Sequence, residues 1–257
     1  MRRYAVLGPL RVFGEEREIE ISARKMEILL AVLLIRANQV VSLSQVMAEL
    51  WGEAPPRRAT ASVHVYVSNL RKLLSWPDGD DNPIYTRNPG YMLTMGDDEL
   101  DLHTFQREVE QGRGHVRERR YEQAARCLRA GLELWRGPAF NEYREGPIVS
   151  GFVGWLEESR LECVELLIDA ELAMGRHRQL VGQLLALTAE YPLREFFHHR
   201  LMLALYRCGR QAEALGVYRA VRSTLDRELG LEPGRQLRDL HGAILTADDD
   251  LDIRDVS

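Results

Sequence analysis

The chain has 257 residues, enough for two domains of ordinary size, and its 45% hydrophobic and 28% charged residues suit a globular protein. No apolar run reaches the roughly 18 residues of a membrane span, and Met1 to Gly8 carries two arginines but too short an apolar core for a signal peptide. A cytoplasmic protein with no membrane partner is expected. The net charge of −5 is unevenly spread: residues 1–95 hold 12 basic and 10 acidic residues, whereas residues 96–257 hold 22 and 29. The first part can therefore meet a polyanion and the second should avoid one.

In chain order, Tyr4 to Leu7 and Leu10 to Phe13 read as strands around Gly8-Pro9, with a third apolar stretch at Ile19 to Ile21 and a solvated turn at Glu15-Glu16. Ser22 reads as the N-cap of a helix through Met26, Leu29, Leu30, Leu33 and Leu34, apolar on much of its circumference and hence central. Ser42 with Gln45 three residues on forms a capping-box pattern ahead of Leu43 to Trp51, and Gly52 ends that helix. Proline cannot continue a helix, so Glu53-Ala54-Pro55-Pro56 makes a rigid loop.

From Arg58 to Leu74 the apolar residues Val63, Val67, Leu70 and Leu74 recur at helical spacing. Trp76 to Asn82 is a loop, and Ile84-Tyr85-Thr86, a turn at Asn88-Pro89-Gly90, and Tyr91 to Thr94 read as a hairpin. Strands, two helices, a proline loop, a third helix and a hairpin make a winged helix-turn-helix, in which the third helix can enter a DNA major groove. At 100° per residue, Val65, Ser68 and Lys72 lie opposite Val63, with Arg58, Ala61 and Asn69 flanking them and His64 and Arg71 near the edges. His64, Val65, Ser68 and Asn69 are expected to face base edges. Arg58, Tyr66, Arg71 and Lys72 are expected to hold phosphates, and Arg87 on the wing to reach the minor groove. Alone, such a face would read as solvated; its place between a helix-turn and a wing reverses that. The exposed loop Glu53, Ala54, Pro55, Pro56, Arg57 is expected to touch RNA polymerase, the plainer reading being a connector.

Met95 to Glu99 is the expected boundary, giving a winged-helix domain over residues 1–95, a helical domain over 99–246 and an acidic, disordered tail over 247–257. The helical part repeats: Gly175-Arg176 and Gly209-Arg210 lie 34 residues apart, the tetratricopeptide period. An earlier copy at Arg120-Tyr121 is displaced by an insertion between Gly137-Pro138 and Gly146-Pro147. Three helical hairpins and a closing helix, Gln236 to Leu245, are expected. The fold class is thus mainly α with a small β part.

These residues resemble the Streptomyces antibiotic regulatory protein family. The resemblance is carried by Val6-Leu7-Gly8-Pro9-Leu10, Val40-Val41-Ser42, Leu50 to Pro56, Val65 to Arg71, Asn88-Pro89-Gly90-Tyr91 and Asp101-Leu102-His103. It continues through Leu134 to Ala139, Pro192 to Glu195, Leu201 to Tyr206 and Glu228 to Gly234. It implies an OmpR-type winged helix followed by a bacterial transcriptional activation domain, in a small stand-alone member. The implied function is activation of a secondary-metabolite cluster from direct repeats in double-stranded promoter DNA overlapping the −35 region. Two protomers would sit side by side as a homodimer on DNA and recruit RNA polymerase holoenzyme through its σ factor. The family often has arginine where this chain has Thr60 and Asn69; asparagine reads adenine where arginine reads guanine, so operator preference is not transferable.

The remaining candidates read as structural. Cys127, Cys163 and Cys208, widely spaced and odd in number, suggest buried thiols rather than a disulfide framework or metal site. His198-His199 lacks a third ligand at helical spacing and reads as a surface pair, while Trp135, Phe152, Trp155 and Phe196 read as packing between hairpins, the other reading being the lining of a small-molecule pocket. No nucleotide-binding, zinc-protease or hydrolase motif occurs, so neither an enzyme nor a cofactor is expected. The alternative function is a peptide-binding helical-repeat adaptor whose winged helix does not read DNA.

Overall fold

A computed structural model of the chain describes residues 1–14, 18–75, 82–140, 146–248 and 251. The expected turn at Glu15-Glu16, most of the Trp76 to Asn82 loop, part of the insertion and nearly all of the tail lie outside these residues. The chain is mainly helical with a small β part, and it divides into two compact units, Met1–Val109 with Ala130–Leu161, and Glu110–Arg129 with Glu162–Ser257.

The first unit opens with β1 (Arg3–Ala5), β2 (Arg11–Phe13) and β3 (Glu18–Ile19), then α1 (Arg24–Ile35), β4 (Val41–Ser42), α2 (Leu43–Trp51) and α3 (Ala59–Leu74). The hairpin β5 (Ile84–Arg87) and β6 (Gly90–Leu93) follows, and then β7 (Glu99–Leu100). One sheet has the order β3-β2-β1-β7, with β7 parallel to β1; the other has the order β4-β6-β5. α1 is the core helix, with Leu29 to Leu33 fully buried. It begins after Ala23 rather than Ser22: the N-cap carries no side-chain bond, and Ser22 stands one residue too early to serve the first turn. The capping box forms, Gln45 N donating to Ser42 Oγ at 3.2 Å and Ser42 N to Gln45 Oε1 at 2.9 Å.

Two buried charged groups brace this unit. Arg2 Nη1 meets Asp98 Oδ2 at 2.9 Å, Arg2 N donates to Asp98 Oδ1 at 2.7 Å, and Arg2 Nε donates to Leu74 O at 2.7 Å. Glu49 on α2 accepts from the amides of Ile148 and Val149, at the start of α6 (Pro147–Ala173). Burial pushes the Glu49 carboxyl up against those hydrogen bonds, which pull it down.

α4 (Asp101–Arg117), α5 (Tyr121–Glu133) and α6 each contribute to both units, and α7 (His177–Glu190), α8 (Glu195–Arg207), α9 (Gln211–Leu229) and α10 (Arg235–Thr246) complete the second. α8 packs between α7 and α9, and α10 lies against α8 and α9. The 34-residue repeat has a structural counterpart: Gly175 and Gly209 both adopt left-handed backbone, with φ of 77° and 73°. In each turn the following amide reaches back five residues, Arg176 N to Glu171 O at 3.1 Å and Arg210 N to Leu205 O at 2.9 Å. The earlier copy makes the same turn, Arg120 N to His115 O at 2.9 Å, but its left-handed position is occupied by Arg119, at φ 56°.

Two structural readings are corrected. His198 is 8% exposed, its Nε2 3.0 Å from Pro192 O, and His199 is half-buried beside Arg200; burial lowers both pKa values, that of His199 to about 4. His198 faces inward because α8 is packed on both sides. Cys163 is buried, its thiol pushed up to about 12 by desolvation, but Cys127 and Cys208 are half-exposed at helix edges.

Left-handed backbone costs a side chain roughly 1–2 kcal/mol. Arg119→Gly is therefore expected to stabilise the chain by about 1 kcal/mol and Gly209→Ala to destabilise it similarly, measured by urea denaturation.

Candidate nucleic-acid interface

α3 forms because Val63, Val67, Leu70 and Leu74 line one face and are at most 1% exposed. At its start, Ala59 N donates to Pro56 O at 2.9 Å, and the N-cap Arg58 supplies no capping side chain. On its flank Tyr66 stacks on Trp51 of α2, ring centroids 6.4 Å apart, and Lys25 Nζ of α1 lies 4.4 Å from the Trp51 ring while donating to Leu50 O at 3.1 Å. A cation–aromatic–aromatic layer thus sets α3 against the two helices beneath it. At its end, Leu74 O is held by the buried Arg2, a cation at the negative pole of the helix.

The wing is fastened at three places. In the hairpin Arg87 pairs with Gly90 and Thr86 with Tyr91, while β6 also pairs with β4 through Val41 and Ser42. Gly90 is required there, since a Cβ would lie 1.9 Å from Val41 O. Asn82 donates through Nδ2 to Arg71 O at 2.9 Å and accepts from Ile84 N at 3.0 Å, joining the end of α3 to the start of β5. Arg71 completes the joint: Nε donates to Ile84 O at 3.0 Å, Nη2 donates to Thr86 Oγ1 at 2.8 Å, and the guanidinium lies 6.0 Å from the Tyr91 ring.

His64, Val65, Ser68, Asn69 and Lys72 are all exposed on one side of α3, Val65 by 55%. His64 also meets the Tyr91 ring edge-on at 6.5 Å, and Tyr66 is half-buried by its stacking. Arg58 and Arg87 are exposed at the start of α3 and the tip of the wing, and Glu53, Ala54, Pro55, Pro56 and Arg57 form an exposed run between α2 and α3. Among the described residues the side chains of Arg57, Arg58, Lys72 and Arg87 make no hydrogen bond or ion pair. Arg113, Arg176, Arg194 and Arg200 in the second unit each face a carboxylate within 3.2 Å.

Periodicity alone places Arg71 with the phosphate-facing cations; it misses the bracing role of that side chain, because Ile84 and Thr86 approach it only in the folded hairpin. Arg2 and Lys25 escape it for the same reason. Their only sequence signal is a basic pair, Arg2-Arg3 or Arg24-Lys25, next to an apolar segment.

Residues 100–245 match the family described as bacterial transcriptional activator domain, and residues 16–93 match transcriptional regulatory protein, C terminal. The chain is 33% identical over 253 residues to regulatory protein DnrI of Streptomyces peucetius, covering 96% of this chain and 93% of that one. It is 37% identical over 246 residues to transcriptional regulator RedD of Streptomyces coelicolor, covering 95% and 70%. This chain belongs to the Streptomyces antibiotic regulatory protein family. Those relatives are named as regulators of transcription, a non-enzymatic role. The fold agrees with the solved structure of Mycobacterium tuberculosis EmbR in complex with a low affinity phosphopeptide, with 36% identity, a TM-score of 0.89 and coverage of 96% of this chain and 65% of that one. Against the full EmbR sequence, the chain is 38% identical over 243 residues and spans 63% of that protein's length. No helix among the described residues is long and apolar enough to cross a membrane.

Removing the Arg71 brace is expected to cost roughly 1–2 kcal/mol and to loosen the wing before the core. In Arg71→Ala, hydrogen exchange at β5 amides should accelerate, while amides of α1 keep their relative protection.

Proposed function

We propose that this regulator reads double-stranded promoter DNA with the exposed side of α3, while the wing and the start of α3 hold the backbone. The observation that carries the reading is the cluster of unpaired cations around α3. Arg57, Arg58, Lys72 and Arg87 border a polar helix face without acid partners, in a chain whose net charge is −5. Uncompensated cations are what a polyanion requires, because each phosphate they neutralise releases condensed counterions. Between these cations, His64, Ser68 and Asn69 present donors and acceptors to base edges, and Val65 presents a methyl surface suited to thymine. Arg71 retains Nη1 for a phosphate beside its bonds to the wing, and the Tyr66 hydroxyl can serve another.

Family membership extends the proposal to direct repeats overlapping the −35 region, a homodimer on DNA, and recruitment of RNA polymerase holoenzyme through its σ factor. The exposed Glu53 to Arg57 loop, adjoining α3, is the proposed polymerase contact. The regulated genes would belong to a secondary-metabolite cluster.

Mobility-shift titrations on promoters of neighbouring genes, repeated at several salt concentrations, test this. Lys72→Ala and Arg87→Ala are each expected to weaken binding to all sequences and to flatten the log–log salt slope by about 0.9 for each phosphate no longer neutralised. Asn69→Ala should instead relax preference at one base position by about 1–3 kcal/mol. Unchanged affinity and selectivity in all three variants would overturn the assignment of the face.

A further inference from the structure

We propose that the cleft between α2 and the first turns of α6 binds a small planar aromatic carboxylate. The cleft has a volume of about 550 Å³, within the range of roughly 300–1,000 Å³ typical of small-molecule sites. Ala48 on α2 and Gly151 on α6 both line it and add almost no side-chain bulk. Every described residue that lines it belongs to the first unit.

The lining supplies three kinds of contact. Phe152 and Trp155 form an aromatic wall, their ring centroids 5.5 Å apart and their planes tilted by 38°, and Trp155 remains 45% exposed. Most tryptophans bury their faces, so one that opens into a cleft offers an uncovered stacking surface. At the rim Arg36, which ends α1, is exposed, and its guanidinium makes no hydrogen bond or ion pair among the described residues. Gln45 lines the cleft as well; its Oε1 is taken by Ser42 N at 2.9 Å, which leaves Nε2 to donate.

The charge pattern selects an anion. Among the described lining residues Glu49 is the one acid; it is 4% exposed and its carboxylate accepts from the Ile148 and Val149 amides, so it presents little charge to the open cleft. A free guanidinium and a free amide donor beside an aromatic wall suit a ring bearing a carboxylate, held by a charge-assisted hydrogen bond at one end and stacking at the other. The face that meets DNA is not involved.

The test is titration of the full chain with 2-naphthoate, with the uncharged 2-naphthalenemethanol in parallel. Binding is followed by the NMR resonances of the Trp155 indole N–H and the Gln45 side-chain amide. The acid is expected to shift both saturably and to bind about tenfold or more tightly than the alcohol, a difference of about 1.4 kcal/mol. Arg36→Ala should erase that difference, and Trp155→Ala should abolish binding of both compounds. Both side chains are exposed, so the variants should fold, and the dispersion of the other resonances verifies this. Three results would overturn the proposal: no saturable shift up to millimolar acid, equal affinity for acid and alcohol, or an Arg36→Ala variant that binds like the parent. No DNA is present in the measurement, so its outcome is independent of what α3 reads.

Discussion

The winged-helix unit depends on a guanidinium enclosed between a carboxylate and a helix end. Arg2 and Asp98 expose 3% and 7% of their side chains and meet at 2.9 Å, while Arg2 also holds the last carbonyl of α3. Such a pair adds little net stability over a well-packed apolar alternative. Loss of either partner, however, strands a buried charge at a cost of roughly 3–5 kcal/mol. The pair therefore acts as a constraint: α3 can end only where β1 and the segment before β7 let Leu74 reach Arg2. The Lys25–Trp51–Tyr66 layer sets the flank of α3, and Arg71 with Asn82 joins it to the wing. A face assembled this rigidly has little ordering left to undergo on binding a ligand.

The same side chain chemistry is used in opposite ways along the chain. In the second unit, arginines such as Arg194 and Arg200 are matched to Glu165 and Asp169 at 2.6 Å, half-buried between helices. Pairs still open to solvent contribute little individually, but they compensate the cations at those positions. Around α3 the cations are left unmatched. A local cluster of unmatched cations, and not the net charge of −5, makes a surface fit for a polyanion.

What could be read from the sequence was local or periodic. The face of α3, the capping box of Ser42 and Gln45, the stop at Gly52 and the 34-residue spacing of Gly175 and Gly209 each follow from a few neighbouring residues, and the structure has all of them. The fold class and the family follow from the order of such signals. Interactions across long sequence separations were not legible. Arg2 and Asp98 are 96 residues apart, and Glu49 meets Ile148 at a separation of 99. Arg71 illustrates the limit best: its bonds to Ile84 O and Thr86 Oγ1 exist only once the hairpin folds beside α3. His198-His199 failed differently, since an apolar stripe wide enough to bury them is set by α7 and α9 packing on both sides of α8.

The central claim is that the buried Arg2–Asp98 pair holds α3 in the position from which it is proposed to read DNA. Hydrogen exchange across α3 in Asp98→Ala, paired with DNA affinity at a temperature where the variant remains folded, tests it most directly. Amides of Leu70 to Ser75 should lose protection ahead of those of α1, and affinity for a promoter fragment should fall at least about tenfold. Parent-like protection at the end of α3 together with undiminished affinity would contradict the account.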